Sequence, residues 1–262
     1  MSRPLITLTT DFGLADGYVG TMKGVILAIC PEAILVDISH EVRPQAVRQG
    51  AYLLSCAAPF FAPGTLHLAI VDPDVGGQRR PVLALTERAA YIGPDNGVLS
   101  MALDQDPPLS AVHLTSPAYW RASVSRTFHG RDIFAPATAH LAAGVDPLDM
   151  GDPITTESLV RLPAAEPETR PDGSLLGEVL HIDRFGNLVT TFRADRLPIR
   201  FTVEIAGVHI DRLSQTFSTA EKGRCLAYIG SSSYLEIAVR DGNAAEQLGV
   251  SLASPVRLRY QV

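Results

Sequence analysis

Lysine is almost missing from this chain of 262 residues: Lys23 and Lys222 are the only two, so nearly all the basic charge is arginine. Arginine offers fixed, forked donors for planar anions rather than mobile point charges. Basic charge is short altogether. Twenty-two Lys and Arg face 28 Asp and Glu, a formal net charge of -6, which excludes the basic excess that a phosphate backbone demands. Cysteine is scarce as well. Cys30, Cys56 and Cys225 stand far apart, form neither a CxxC pair nor an even-numbered framework, and fit a reduced compartment. No apolar run approaches the ~18 residues of a membrane span. The opening "MSRPLITLTTDFG" enters a strand pattern without the regions of a signal peptide. These absences point to a soluble, cytoplasmic protein.

Familiar catalytic strings are missing too. There is no GxGxxG after the first strand, no GxxxxGK[ST], no GxSxG elbow and no HExxH. The "DFG" at Asp11–Gly13 comes without the glycine-rich loop, "VAIK" strand or catalytic loop of a kinase.

What is present is globular: 46% hydrophobic and 19% charged residues, in a length that suits one large domain or two modest ones. Over residues 1–162, short β-branched runs ("LITLTT", "AILVDIS", "TLHLAIVD", "VLALTE") alternate with helical patterns such as "YVGTMKGVILAIC" and "GRDIFAPATAHLAAG". That alternation predicts a doubly wound α/β domain with a parallel sheet, whose ligands gather at the carboxyl ends of the strands. Residues 163–174, "PAAEPETRPDGS", read as a linker. From 175 to 262 the text changes to short alternating strands with glycine turns, predicting a small C-terminal all-β barrel domain.

Acids recur just past the apolar strands of the first domain: Asp11, Asp37, Asp72 and Asp95. Between Val71 and Arg80, "VDPDVGGQRR" packs two carboxylates, two glycines and two guanidinium groups. His129, Arg131 and Asp132 form "FHGRD" at a helix entrance, a cluster able to do acid–base work. Each also has a plain reading: Asp11 as a helix cap, Asp95 within the turn "PDNG", His129 as a structural histidine. Spacing alone leaves two enzyme readings. One is a phosphohydrolase with metal-holding aspartates; the other is a nucleoside site in which Asp11 or Asp16 grips a ribose diol.

Six strings in order, "TTDFG…DGYVGTMKGVI", "VDPxVGxxRR", "GPDNGxLS", "FHGRDIFAPxxAHLA", "IDRFGNLVTT" and "SSSYLEIAVRDGNAA", span nearly the whole chain. Together they resemble the S-adenosyl-L-methionine hydroxide adenosyltransferases, relatives of the fluorinase and chlorinase. The resemblance implies an α/β domain followed by a β-barrel, in a homotrimer with active sites at subunit interfaces. It implies hydrolysis of S-adenosyl-L-methionine to adenosine and L-methionine, with no cofactor and no metal. The family's Asp–Arg–His set falls on Asp72, Arg79 and His129. Its ribose-binding acid falls on Asp11, with Asp16 in the following segment. Asp183 and Ser232 fall at positions that hold the methionine portion, and Phe185, Asn187 and Ala244 at those that hold adenine. Only "PVLALTERAAYI" separates Arg80 from Gly93, where the fluorinase carries a long insertion; with the Arg79–His129 pair, which a halogenase would not be expected to keep, this favours a hydrolase, a chlorinase being the alternative. The presence of Arg79 and His129 likewise favours catalysis over a binding-only sensor. The family usually has glycine at Asp74, so the sequence raises the expectation of a positive φ there.

Overall fold

The computed structural model describes residues 3–163 and 166–260. It divides into two compact units, Met1–Leu162 and Pro163–Val262. In chain order the first unit contains β1 (Leu5–Thr10), α1 (Tyr18–Ile29), β2 (Ile34–Ser39), α2 (Val47–Ala57), β3 (Thr65–Ile70), β4 (Pro81–Thr86) and β5 (Ala89–Pro94). It continues with α3 (Ser100–Gln105), β6 (Pro108–His113), α4 (Ala135–Ala142) and β7 (Asp152–Ile154).

The seven strands form one sheet in the order β2-β1-β3-β5-β4-β6-β7. β3 is buried at all six positions, as a central strand covered on both faces must be. On one face Ile6, Leu8 and Leu68 pack with Met22 and Ile26 of α1 and with Ala137 of α4. On the other face Ala69 and Val71 pack with Leu54 of α2 and Leu103 of α3. The doubly wound expectation therefore holds, but the sheet is parallel only across β2-β1-β3-β5. β4, β6 and β7 run antiparallel to their neighbours. The reason is local: Glu87 and Arg88 alone join β4 to β5, room for a hairpin but not for a crossover.

The second unit contains β8 (Glu168–Thr169), β9 (Leu175–Ile182), β10 (Leu188–Arg193), β11 (Phe201–Ile205), β12 (Val208–Ile210), β13 (Cys225–Ile229), β14 (Tyr234–Val239), α5 (Ala244–Leu248) and β15 (Pro255–Tyr260). The strands run β12-β11-β15-β9-β10-β14-β13, all antiparallel, with β8 added to β9. A bridge from Leu213, just past β12, to Ala227 on β13 nearly closes the sheet into a barrel. Phe192, Val203, Ile237 and Leu258 are among its core residues. Part of the segment read as a linker thus belongs to this sheet: β8 pairs with Leu175 and Leu176 of β9.

Candidate active site

Beyond β3, the buried Val71 delivers Asp72 to the carboxyl edge of the parallel strands. Arg79 returns to meet it. Its Nε donates to Oδ1 at 2.9 Å and Oδ2 at 3.0 Å, and its Nη2 donates to Oδ2 at 2.5 Å. Nη2 also lies 2.8 Å from Nδ1 of His129. A guanidinium only donates, so Nδ1 accepts, and the neutral ring carries its proton on Nε2. The His129 pKa is lowered, first by burial and then by the Arg79 charge, against the opposing pull of Asp72 and Asp132. The buried ion pair, with side chains 7% and 4% exposed, is thus a rigid bridge to a neutral imidazole.

The loop between Asp72 and Arg79 is held by its own backbone, with Val75 N–H donating to the Asp72 carbonyl at 3.3 Å and Gly77 N–H to that of Asp74 at 2.9 Å. The residue with positive φ is Gly76 (φ 79), not Asp74, whose side chain faces solvent. A Cβ on Gly76 would collide with the Arg126 carbonyl, so this glycine lets the loop lie against the segment that carries His129. His129 itself precedes a π-helical turn, Gly130–Phe134. Within that turn Asp132 is fully buried and accepts from Arg131 Nε at 2.6 Å and Ser125 N–H at 2.8 Å. Of the "FHGRD" polar residues, therefore, His129 meets Arg79 while Asp132 anchors the preceding loop.

Asp11 follows β1, the strand beside β3. It caps no helix: α1 starts at Tyr18 behind Gly17, without a side-chain cap. Its Oδ2 instead accepts from the Gln45 N–H at 2.8 Å. Burial raises its pKa, the Gln45 N–H opposes, and the negative charge of Asp72 adds to the rise, so the two acids feel one another. Asp16 is exposed in the loop before α1. Asp95 has a structural task, taking Arg80 Nε at 2.8 Å and Val160 N–H at 2.8 Å. Sequence reading missed its neighbour Asn96, whose Nδ2 donates to the Val71 carbonyl at 2.8 Å and pins the "PDNG" turn beside Asp72. A cavity of about 320 Å³ opens beside Arg79 and His129, with His113, Thr115 and Trp120 also in its wall.

In the second unit Asp183 organises the turn from β9 to β10. Its Oδ1 accepts from Phe185 N–H at 2.9 Å and Asn187 N–H at 2.8 Å, and its Oδ2 from Asn187 Nδ2 at 2.8 Å. Phe185 is left 75% exposed, an unusual position for a large aromatic. Gly186 (φ 82) has no room for a Cβ against Asn243, whose Oδ1 caps α5 by accepting from Glu246 N–H at 3.0 Å. The buried Ala244 thus begins its helix on this turn, with Ala245 N–H donating to the Gly186 carbonyl at 3.1 Å. Asp183, Phe185, Asn187 and Ala244 therefore share one junction. Ser232 lies half-buried in the hairpin between β13 and β14. That hairpin also brings in Glu236, which no motif marked. Burial raises its pKa, the Tyr228 hydroxyl opposes, and the charge of Asp183 adds to the rise.

The profile of the SAM hydroxide adenosyltransferase N-terminal domain matches residues 6–151, and that of the C-terminal domain matches residues 177–257. The chain belongs to this family. Its relatives include the (R)-S-adenosyl-L-methionine hydrolase of Thermus thermophilus, 43% identical over 98% of this chain and 99% of that one. The hydrolase of the same name from Methanocaldococcus jannaschii is 32% identical, over 98% and 96% of the two chains. A fluorinase of Nocardia brasiliensis is 30% identical over 98% and 94%. The crystal structure of a conserved protein from Thermotoga maritima superposes with a TM-score of 0.86 at 31% identity, covering 97% of this chain and 99% of that one. In this chain β4 begins directly after Arg80 and turns tightly into β5. Among the described residues, no three His, Cys, Asp or Glu side chains gather as a metal-binding group, and no helix is long and apolar enough to cross a membrane.

Proposed function

We propose that this protein hydrolyses S-adenosyl-L-methionine to adenosine and L-methionine by in-line attack of water on the ribose C5′. The observation that carries the reading is Arg79 bridging Asp72 and His129, with donors to both. Methionine departs as a neutral thioether, taking the C–S electron pair, so the leaving group needs no acid. The work lies in aiming water, and positioning of this kind supplies up to roughly 7–11 kcal/mol.

The hydrogen-bond pattern divides the labour. Arg79 holds its proton and orients its neighbours. His129 spends Nδ1 on Arg79 and presents Nε2–H, so it donates to the water oxygen rather than taking its proton. Asp72 Oδ1 accepts one Arg79 bond against two at Oδ2 and keeps room for a water hydrogen. As the O–C5′ bond forms, the water becomes strongly acidic, and Asp72 takes the proton and releases it to solvent.

Asp11 binds the ribose hydroxyls, with Asp16 at the mouth of that loop. Asp183 and Ser232 hold the methionine portion; Phe185 and Asn187 with the Ala244 backbone hold adenine. The reaction uses no cofactor and no metal. The working form is a cytoplasmic homotrimer with its active sites at subunit interfaces, which light scattering on the purified protein checks. The primary test incubates the protein with S-adenosyl-L-methionine and EDTA, with and without chloride, and separates the products by chromatography. Adenosine and methionine are expected in both samples. 5′-Chlorodeoxyadenosine, or unchanged substrate, overturns the reading. Resolved sulfonium epimers extend the test, since the relatives' names specify the (R) form.

A further inference from the structure

We propose that His40 is a positioning residue that sets the aim of Asp11; the proposal rests on the reading of Asp11 as the ribose-binding acid. Asp11 stands on the loop after β1, and the N–H that holds it, from Gln45, stands on the loop after β2. His40 fastens the two loops together. Its carbonyl accepts from Gly13 N–H at 2.8 Å, two residues past Asp11. Its Nδ1 lies 2.8 Å from Thr10 Oγ1, one residue before Asp11. Thr10 Oγ1 also receives the Phe12 N–H at 3.3 Å. Asp11 is therefore bracketed on both sides by groups tied to His40.

Thr10 Oγ1, with two lone pairs and one hydrogen, meets the Phe12 N–H and His40 Nδ1 together, whichever of Oγ1 and Nδ1 carries the proton between them. On the other side of the ring, Nε2 lies 3.0 Å from Asp37 Oδ1, at ion-pair distance but without hydrogen-bond alignment, and Asp37 Oδ2 is held by Lys23 at 2.6 Å. Lys23, on α1, is the only lysine of the first unit. The chain Lys23–Asp37–His40–Thr10 thus runs from α1 across the edge of β2 to the residue preceding Asp11. The β1–β2 register slips between Leu8 and Thr9, a bulge of the kind that re-aims side chains beside a site. His40 is 3% exposed, and it is through its polar atoms that it reaches both loops. Gln45, at φ 67, holds its donor in a backbone conformation that only neighbouring restraints keep in place.

The test compares wild type, His40→Ala, His40→Asn and Thr10→Val on S-adenosyl-L-methionine and on its 2′-deoxy and 3′-deoxy analogues. Asn presents an amide oxygen near the place of Nδ1. Val keeps the Thr10 shape without the hydroxyl, so it reports on the link even where His40→Ala folds poorly. Expected is a KM for the full substrate raised about tenfold in His40→Ala and Thr10→Val, the size of one lost hydrogen bond, with kcat nearly unchanged. On the analogue lacking the hydroxyl that Asp11 holds, the effect shrinks to about twofold, and His40→Asn recovers most of the loss. Discrimination by wild type, with equal losses in the variants on every substrate, overturns the positioning role alone. Indifference of wild type to both missing hydroxyls overturns the Asp11 reading and this proposal with it.

Discussion

Replacing Arg79 by lysine keeps one positive charge and removes the fork. Arg79 makes three hydrogen bonds to Asp72 and one to His129, the last two from the same Nη2. An ammonium on a four-carbon stem sustains a contact with Asp72 but does not span both carboxylate oxygens and His129 at once. The cleanest loss is the His129 bond. A hydrogen bond to a charged group contributes about 1.5–3 kcal/mol, which at about 1.4 kcal/mol per decade lowers kcat roughly 10- to 150-fold. KM changes little, because Arg79 touches none of the groups assigned to ribose, adenine or methionine. Alanine is the poorer probe: it strands the Asp72 carboxylate, 4% exposed, and costs about 3–5 kcal/mol of folding stability. Adenosine release under saturating substrate, with a thermal melt of each protein, separates the two effects. A lysine variant within threefold of wild type in kcat, or one that loses only in KM, refutes the alignment role.

Protonating His129 removes the Nδ1 acceptor and sets a second cation beside Arg79. Its folded pKa lies below the ordinary 6.5, so kcat is flat above that value and falls as pH drops beneath it; a profile with its midpoint above 6.5 contradicts the assignment. His67, bonded through Nδ1 to Thr7 at 2.7 Å and stacked on Tyr91 at 5.0 Å, has its pKa pushed down by burial to about 4. The unfolded chain binds that proton first, so stability is complete above pH 6.5 and falls by about 3 kcal/mol as pH drops to 4. Urea melts across this window should show the slope in wild type and a flatter one in His67→Gln. Gly76→Ala meets both a positive φ and the Arg126 carbonyl. It should lower stability by about 1–3 kcal/mol and kcat by more than an exposed loop substitution; an unchanged melt and rate would mean that the loop relaxes freely.

The parts of the fold that could be read were those where one physical demand dominates. β3 announces itself because six successive buried residues leave a short β-prone run in which only Thr65 and His67 are polar. The antiparallel half was harder. β5 ends in glycine, proline and "PDNG", so its turn chemistry masked a strand whose pairing depends on the short turn at Glu87 and Arg88. Prolines hid β8 in the same way. At the site, Asp72 and Arg79 lie close in sequence, whereas His129 is fifty positions further on and only the resemblance joined it to them. Asp132 looked equally catalytic until its partners proved to be Arg131 and Ser125. The group that holds Asp11 is a backbone N–H, which any residue but proline would supply at position 45, so no letter of the sequence spells it.

The place of β15 has a consequence for chains still being made. β15 lies between β11 and β9, and among the described residues no other strand joins those two. Every earlier strand of the second unit can be synthesised and paired while β9 and β11 each still present an open edge. A chain released early by the ribosome, lacking Pro255–Tyr260, keeps both edges bare and is a natural target for proteases or aggregation. Closure of the barrel therefore waits on Pro255–Tyr260, the one segment that seals both edges at once.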